Sequence, residues 1–287
     1  MDGYLPYYRA KIRGEKNEKT VDPFYFMDKN PFEKVHLNFC KTHLGIKKSA
    51  SNIGARAELG RLPIEHFILT QSSIYLARLH TEKINPLLKE ALKLAKSLDS
   101  LGTYSWYTYV KNIISDDDLL NKIENCKNLK EVHSIKTQIK RYFEDKYISL
   151  INNKLKSYDE TNKLCLYKEI KQSLDKEFYL TYHDFSIRKY FTKLRLSDHN
   201  LEIERGRYFK IPRKDRLCKL CKTVENEEHF LMHCKLNNKI RLELFKNLNW
   251  KIEDQNVNNL LNPSSKEHVK LIGSFLKQSL ELRTEVA

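Results

Sequence analysis

Turn-forming residues are scarce in this sequence. Its 287 residues include only 8 glycines and 7 prolines, while 40% of the residues are hydrophobic. All-β folds need many tight turns, and those turns depend on glycine and proline. The shortage therefore disfavours an all-β fold, and the hydrophobic content is sufficient for a packed core. We expect a mainly α-helical protein, arranged as a helical bundle with a small zinc knuckle near the C-terminus.

Long apolar runs and a dense set of cysteines are also missing. No run of about 18 apolar residues occurs, so we expect no membrane-spanning segment and no membrane partner. Met1–Lys11 contains no apolar stretch of the kind that signal peptides have. Cys40, Cys126 and Cys165 are scattered and form no disulfide framework. We therefore expect an intracellular protein, nuclear or cytoplasmic.

The remaining cysteines form one compact motif. It reads Cys218-Lys219-Leu220-Cys221 and continues to His229 and Cys234, with the spacing Cys-x2-Cys-x7-His-x4-Cys. Three thiolates and one imidazole at such spacing are typical of a closed tetrahedral zinc site. We expect one structural Zn²⁺ bound by Cys218, Cys221, His229 and Cys234; the alternative is free thiols beside a surface histidine. A fully ligated zinc performs no chemistry, but it folds a segment that is too small to fold alone.

A short helix is expected between the second and the last of these ligands. Asn226-Glu227-Glu228 can start it, so that it carries His229 and brings Cys234 near its end. His233 is the competing imidazole. It directly precedes Cys234, and this adjacency makes simultaneous ligation by both residues awkward.

Positive charge dominates the sequence. Its 52 Lys and Arg residues outnumber its 37 Asp and Glu residues, which gives a formal net charge of +15. This excess suits a polyanionic partner, and the alternative is an ordinary lysine-rich solvated surface. The charge is concentrated in residues 184–222, where Tyr190, Phe191, Tyr208 and Phe209 are interleaved with it. Cations for phosphates beside rings for bases are typical of a nucleic-acid surface, so RNA or DNA is the predicted partner.

The predicted nucleic-acid contacts are the cations of this stretch and one of its rings: Arg188, Lys189, Lys193, Arg195, Arg205, Arg207, Tyr208, Lys210, Arg213, Lys214 and Arg216. Arg195 and Arg205 have an alternative, because they can pair with Glu202 and Glu204. The stretch adjoins the zinc motif, and this favours nucleic-acid binding over ordinary basic helix faces. No small-molecule substrate is expected, and the oligomeric state stays open.

A run of carboxylates, Ser115-Asp116-Asp117-Asp118, is the one candidate for a catalytic magnesium site. Catalytic metal pairs need carboxylates that separate strands bring together. This run instead directly precedes Leu119-Leu120, so it is predicted to cap a helix, where its charge also favours the helix dipole. No catalytic residue is therefore assigned.

Apolar residues at helical spacing predict the main helices. A helix is expected to begin at Pro31, because Phe32, Val35, Phe39 and Leu44 fall at helical spacing. A longer amphipathic helix is expected from Asn128 to Tyr158, because neither glycine nor proline interrupts its apolar repeat. Trp106 is expected to pack in the core rather than to stack on bases.

Helix caps are predicted from local side chains. Ser51 is expected to cap a short helix that ends at Gly60. Ser264-x-x-Glu267 is a capping box that is expected to start the last helix. The sequence thus divides into an irregular segment (1–30), a helical region (31–183), a basic helix with the zinc motif (184–250) and a C-terminal helix (251–287).

Two blocks resemble a known family. Leu194–Tyr208 reads LRLSDHNLEIERGRY and runs into the zinc motif with its Glu228–Leu231, EHFL. Before it stand Glu33–Gly45, which opens EKVH, then Lys47–Asn52, KKSASN, and Glu58–Arg61, ELGR. Together these blocks resemble the carboxy-terminal region of LINE-type (non-LTR) retrotransposon reverse transcriptases. Trp106 falls where those proteins often have a Trp-Val-type motif.

The resemblance implies a thumb- or linker-like helical region after a polymerase palm, a CCHC zinc knuckle, and a tail that holds RNA or DNA. The family's endonuclease and its aromatic-x-Asp-Asp turn have no counterpart in this sequence. Polymerase activity is therefore not carried over, and the expected function is a non-catalytic zinc-stabilised nucleic-acid-binding module. The alternatives are a zinc-stapled helical protein-interaction domain and a transposon-derived fragment without selected function.

Overall fold

The structure is a computed structural model that describes Phe24 and residues 27–286. Within these residues it contains α-helices and no β-strand beyond two isolated bridges, Leu59–Lys176 and Leu217–Val224. The predicted mainly α-helical class is confirmed. The helices are α1 (Pro31–Leu44), α2 (Asn52–Glu58), α3 (Ile64–Leu79), α4 (Pro86–Ser100), α5 (Trp106–Ile113), α6 (Asp117–Glu124), α7 (Leu129–Lys156), α8 (Cys165–Ile170), α9 (Phe185–Arg195), α10 (Glu202–Tyr208), α11 (Asn238–Asn247), α12 (Val257–Leu261) and α13 (Lys266–Val286).

The chain forms two compact units. The first unit comprises Leu62–Leu150 and the segment that ends at Glu33. It contains α3 to α6 and most of α7, the predicted long helix. The inner face of α7 is buried and consists of Val132, Ile135, Ile139, Phe143 and Tyr147. These residues recur every three or four positions, so one stripe of α7 supplies much of the core of this unit.

The second unit comprises Lys34–Arg61 and Ile151–Ala287. Its central pair is α9 and α13, which pack closely because α13 has Gly273 at the crossing. A Cβ on Gly273 would lie 2.3 Å from Cγ2 of Ile187 and 3.1 Å from the ring of Phe191. The predicted segments 184–250 and 251–287 both lie in this unit, whereas 31–183 contributes to both units.

Helix caps follow the sequence closely. The Ser51 side chain accepts the Gly54 N–H at 3.2 Å, and Asp116 accepts the Leu119 N–H at 3.0 Å at the start of α6. The aspartate run thus begins a helix as predicted. At the start of α13, Ser265 rather than Ser264 accepts the His268 N–H, at 3.1 Å. The prediction that Ser264 caps this helix was therefore wrong by one position.

The helix predicted at Pro31 is confirmed, whereas the predicted core position of Trp106 was wrong. The face of α1 that is buried carries Leu37, Cys40 and Leu44, whereas the Val35 side chain is 72% exposed and Phe39 52% exposed. Apolar residues occupy both faces of α1, so spacing alone does not choose the buried one. Trp106 is 39% exposed at the first position of α5, where its ring meets Tyr75 edge-on at 5.7 Å. The predicted irregular segment 1–30 lies largely outside the described residues.

Candidate metal centre and nucleic-acid interface

The first two predicted ligands lie in a tight hairpin. Its arms are joined by the bridge between Leu217 and Val224. The Cys218 N–H donates to the Thr223 carbonyl at 2.8 Å, and the Lys222 N–H donates back to the Cys218 carbonyl at 2.9 Å. Lys222 adopts a left-handed backbone conformation with φ of 59°, which closes the turn. The hairpin therefore directs the Cys218 and Cys221 sulfurs toward one point.

The other two ligands lie at the ends of a short π-helical turn, His229–His233. Asn226 accepts the His229 N–H at 2.7 Å, which starts the turn where the sequence predicts it. The Cys234 N–H then donates to the His229 carbonyl at 2.7 Å, an i to i+5 bond. In a regular α-helix, residues five apart lie about 140° apart around the axis. The wider π-turn removes most of that offset and brings both side chains to the same side.

The four side chains converge as a metal site requires. One ligand atom each of Cys218, Cys221, His229 and Cys234 lies within 4.8 Å of the others. The Cys234 sulfur is 3.9 Å from the sulfurs of both Cys218 and Cys221. Tetrahedral coordination with metal–sulfur bonds of about 2.3 Å separates two sulfurs by about 3.8 Å. The sulfur positions therefore fit a metal ion at the centre of the group.

His229 is oriented for coordination. Its Nδ1 is 3.1 Å from the Thr223 hydroxyl, while its buried Nε2 has no hydrogen-bond partner among the described residues. Burial, the largest effect, lowers the pKa of His229, so the neutral ring is favoured. A neutral ring that donates from Nδ1 to Thr223 leaves the Nε2 lone pair for a metal. His233 is exposed and does not belong to the group.

The thiols need a cation to ionise together. Burial, the largest effect, and the neighbouring sulfurs of Cys218 and Cys221 together raise the pKa of the Cys234 thiol to about 12. A divalent metal would reverse this shift, because a coordinating thiol is deprotonated. The Lys235 N–H, 3.4 Å from the Cys221 sulfur, is aligned to stabilise one thiolate. With four protein ligands, the group leaves no position for water or substrate and therefore suits a structural metal.

Two buried arginines hold the hairpin and the π-turn in place, and neither was predicted from the sequence. Arg241 of α11 donates to the Leu231 and Cys234 carbonyls at 3.4 and 3.2 Å. Arg283 of α13 binds the carboxylate of Glu225, which also accepts the Glu202 N–H of α10 at 2.7 Å. Each arginine occupies an inward position of an amphipathic helix. A charged residue at such a position is the sequence signal that could have indicated their role.

One predicted nucleic-acid contact is wrong. Arg195 and its partner Glu58 are both 0% exposed, and Nε of Arg195 lies 2.6 Å from the Glu58 carboxylate. Arg195 also binds Glu177 at 2.8 Å and the Leu261 carbonyl at 2.8 Å. A side chain so enclosed cannot reach a phosphate. Its predicted alternative partners, Glu202 and Glu204, are not the ones it uses either.

Four further predicted contacts donate hydrogen bonds within the protein. Arg188 binds the Leu180 carbonyl at 3.0 Å, and Arg216 binds the Ile203 and Ile211 carbonyls at 2.8 and 2.9 Å. Arg207 pairs with Glu204 and also donates to the Thr161 carbonyl, and Arg213 donates to the Glu160 carbonyl. Three of these arginines fasten the segment around α10, and Arg188 instead joins α9 to the turn before it. Only part of their charge is therefore available to a partner.

The remaining predicted contacts lie on one exposed patch and one half-buried patch. The first, here called the knuckle surface, directly precedes the hairpin and consists of Arg205, Tyr208, Phe209, Lys210 and Lys214. Tyr208 is 83% exposed, and its ring meets that of Phe209 edge-on at 5.1 Å. Arg205 pairs with Glu202 at 3.3 Å but remains half exposed, in line with the predicted alternative. The second patch is on α9, where the ammonium groups of Lys189 and Lys193 lie 5.1 and 5.9 Å from the Tyr190 ring.

No family model, curated protein or solved structure matches the chain. The likeness to retrotransposon reverse transcriptases therefore rests on the sequence blocks alone. Within the described part of the chain, no helix is both long and apolar enough to cross a membrane.

Proposed function

We propose that the second unit is a non-catalytic nucleic-acid-binding module that one structural Zn²⁺ stabilises. The observation that carries this proposal is the knuckle surface. There an almost fully exposed tyrosine stands between cations, on a segment fastened to the candidate metal centre. Exposed aromatic rings among cations suit single-stranded nucleic acid, because bases stack on the rings and phosphates pair with the cations.

Zinc is the metal that the ligand set favours. Three thiolates and one imidazole in a tetrahedron suit Zn²⁺, and no open coordination position remains for catalysis. A bound metal would join the Cys218–Cys221 hairpin to the π-turn. Because the knuckle surface directly precedes the hairpin, the same bonds would fix the direction in which Tyr208 points. The proposed role of the metal is therefore to preorganise a binding surface.

Binding would combine two separable effects. Arg205, Lys210 and Lys214 would contact phosphates and release counterions, which makes affinity fall as salt rises. Tyr208 would stack on an unpaired base, an interaction of about 1–3 kcal/mol that salt affects little. The chain would thus prefer single strands to duplexes. We further propose an origin in the carboxy-terminal region of a retrotransposon reverse transcriptase, which polymerase-coding sequence immediately upstream in the genome would support.

The test measures affinity for a single-stranded and a duplex oligonucleotide across a salt series. Replacing Arg205, Lys210 and Lys214 together with glutamine should flatten the salt dependence by up to about one unit per lost phosphate contact. Tyr208→Ala should weaken single-strand binding with an unchanged slope, whereas Tyr208→Phe should keep it. Lys246→Gln, on the exposed side of α11, controls for the loss of charge alone.

Absence of wild-type binding at low salt would refute the proposal. Circular dichroism and metal content should confirm that each variant is folded, so that lost binding reports on the surface. A triple variant that binds like the wild type, with the same salt slope, would show that the knuckle surface is only a solvated basic face.

A protein-interaction domain is the second candidate, and the exposed side chains of α1 favour it. Val35 and Phe39 are four residues apart and therefore lie on the same side of this helix. Exposed apolar side chains at that spacing are typical of a face that another helix covers. A chain that fails to bind nucleic acid but loses a protein partner on Val35→Ser substitution would favour this candidate.

A further inference from the structure

A cleft in the second unit, outside the four candidate metal ligands, has no role in the function proposed so far. It has a volume of about 250 Å³ and lies between α9, the loop that follows it, and α13. Its main lining residues are Lys47, Tyr190, Lys193, Asn200, Leu280 and Thr284. Its volume is below the roughly 300–1,000 Å³ of sites for drug-sized ligands, so the cleft suits one small molecule.

Most polar groups around the cleft are already engaged. Asp198 accepts the Lys47 backbone N–H at 2.8 Å, which fixes the loop against α9. His199 contacts Glu227 at 3.0 Å and accepts the Leu201 N–H at 3.3 Å. Arg283, on the inner wall, is held by Glu225. These groups shape the cleft and keep little capacity for a ligand.

Two ammonium groups and one amide remain. The Lys47 ammonium is 3.5 Å from the side-chain oxygen of exposed Asn200, and that of Lys193 lies over the Tyr190 ring. Neither lysine has a carboxylate within ion-pair distance among the described residues. Two such cations in the lining of a small cleft attract an anion, because each can gain a charge-assisted hydrogen bond to it.

The rest of the cleft wall has a different character. Tyr190 and Leu280 form apolar walls, and Glu281 lies beside them on α13. The Glu281 carboxylate repels an anion from that part of the wall, which orients a ligand with its negative group toward the lysines. A ligand with a flat aromatic group and one phosphate matches this lining. The aromatic group would pack on Tyr190, and the phosphate would lie at the two lysines. The amide of Asn200 could bond the polar edge of such a ring, as asparagine does with bases.

We propose that the cleft binds one nucleotide unit, with its base against Tyr190 and its phosphate between Lys47 and Lys193. This inference rests on the proposed function, since it adds a second contact point for the same single strand. A strand that reaches both the cleft and the knuckle surface would be held at two places. Two linked contacts raise affinity well above either alone, provided that the strand spans them.

The experiment uses the full chain and two probes: a short oligouridine, and uridine monophosphate as the isolated nucleotide. Tyr190→Leu should weaken oligouridine binding by about 5- to 150-fold, the loss expected for one stacked base. Tyr190→Phe should bind like the wild type. Lys47→Gln with Lys193→Gln should weaken both probes and flatten the salt slope, and Lys246→Gln should not.

A photocrosslink maps the contact independently of affinity. Oligouridine that carries 5-bromouracil should attach to the peptide that contains Tyr190, and excess uridine monophosphate should compete with this attachment. If Tyr190→Leu binds oligouridine like the wild type and crosslinks form only at Tyr208 or Phe209, the proposed nucleotide site in the cleft is wrong. The proposed function would then still stand. No wild-type binding of the oligouridine at low salt would overturn both.

Discussion

Arg283 and Glu225, 58 residues apart in the sequence, form a buried two-point ion pair. Nε and Nη2 of Arg283 lie 2.6 and 2.9 Å from the two oxygens of Glu225. The same carboxylate accepts the Glu202 N–H, so the pair connects α13, α10 and the segment before the π-turn. Charge-assisted bonds with this geometry are the strong ones, and they carry positional information as well.

Removing one partner of this pair should destabilise the second unit. Arg283→Met leaves a buried carboxylate unpaired, and such a loss typically costs about 3–5 kcal/mol. Arg205→Ala is the matched control, because its pair with Glu202 is exposed and should cost less than about 1 kcal/mol. Urea unfolding with and without a chelator measures both. Equal, small effects would contradict the structural role of Arg283.

Substitution of a metal ligand should lower the zinc content, whereas substitution of another cysteine should not. Wild-type protein should contain one zinc per chain, and Cys221→Ser or His229→Ala should lose it together with the fold of the hairpin. Cys126→Ser, in the first unit, should retain full occupancy. Elemental analysis of the purified proteins gives the answer. One zinc per chain in both ligand variants would refute the assignment.

Thr223 should tune metal affinity without binding the metal. Its hydroxyl meets Nδ1 of His229 at 3.1 Å, and loss of such an orienting contact typically lowers metal affinity about 10- to 100-fold. Thr223→Val should show this loss, whereas Thr223→Ser keeps the hydroxyl and should behave like the wild type. Competition with a chromogenic chelator measures the affinity. The same affinity in all three proteins would rule out the contact.

Arg195 should matter for stability and not for binding. Arg195→Met leaves Glu58 without its main buried partner and should cost about 3–5 kcal/mol. Under conditions where this variant is folded, its affinity for a single strand and its salt slope should equal those of the wild type. The Arg205, Lys210 and Lys214 triple variant should show the opposite pattern. A lower salt slope for Arg195→Met would restore Arg195 as a phosphate contact.

Asp116 should act through the helix that it caps. Asp116→Ala should cost about 0.5–2 kcal/mol, because the Leu119 N–H loses its acceptor. Asp118→Ala removes only an exposed pair with Lys122 and should cost less. We expect no magnesium-dependent primer extension from any of the three proteins. Extension by the wild type that Asp116→Ala abolishes would make the aspartates catalytic.

Local signals were predictable from sequence, and burial was not. The cysteine spacing identified the four residues that converge, and Ser51 and Asp116 cap helices, because these features depend on residues close together in the chain. Arg195 was misjudged because the residue that buries it, Glu58, lies 137 positions away. Long-range partners leave no trace in local composition.

Helix faces show the same limit. Most apolar residues of α7 lie on one stripe, so its buried side followed from spacing, although Leu129 at its start is exposed. Apolar residues on α1 occur on two sides, and only the packing of its neighbours decides that Leu37 is enclosed while Val35 is exposed. Thr223 and Arg241 were missed for a related reason: their role is to orient other residues, and no motif records it.

The closeness of the three sulfurs sets how the centre would respond to oxidants. At 3.9 Å from two other thiols, Cys234 needs to move only a short way to reach the bond length of about 2.05 Å of a disulfide. The lone pairs of these sulfur atoms would coordinate a bound cation. Coordination and oxidation therefore compete for the same sulfur atoms. One disulfide would remove two ligands at once. Metal loss in an oxidising medium would therefore be hard to reverse by adding metal, and recovery would need a reductant first.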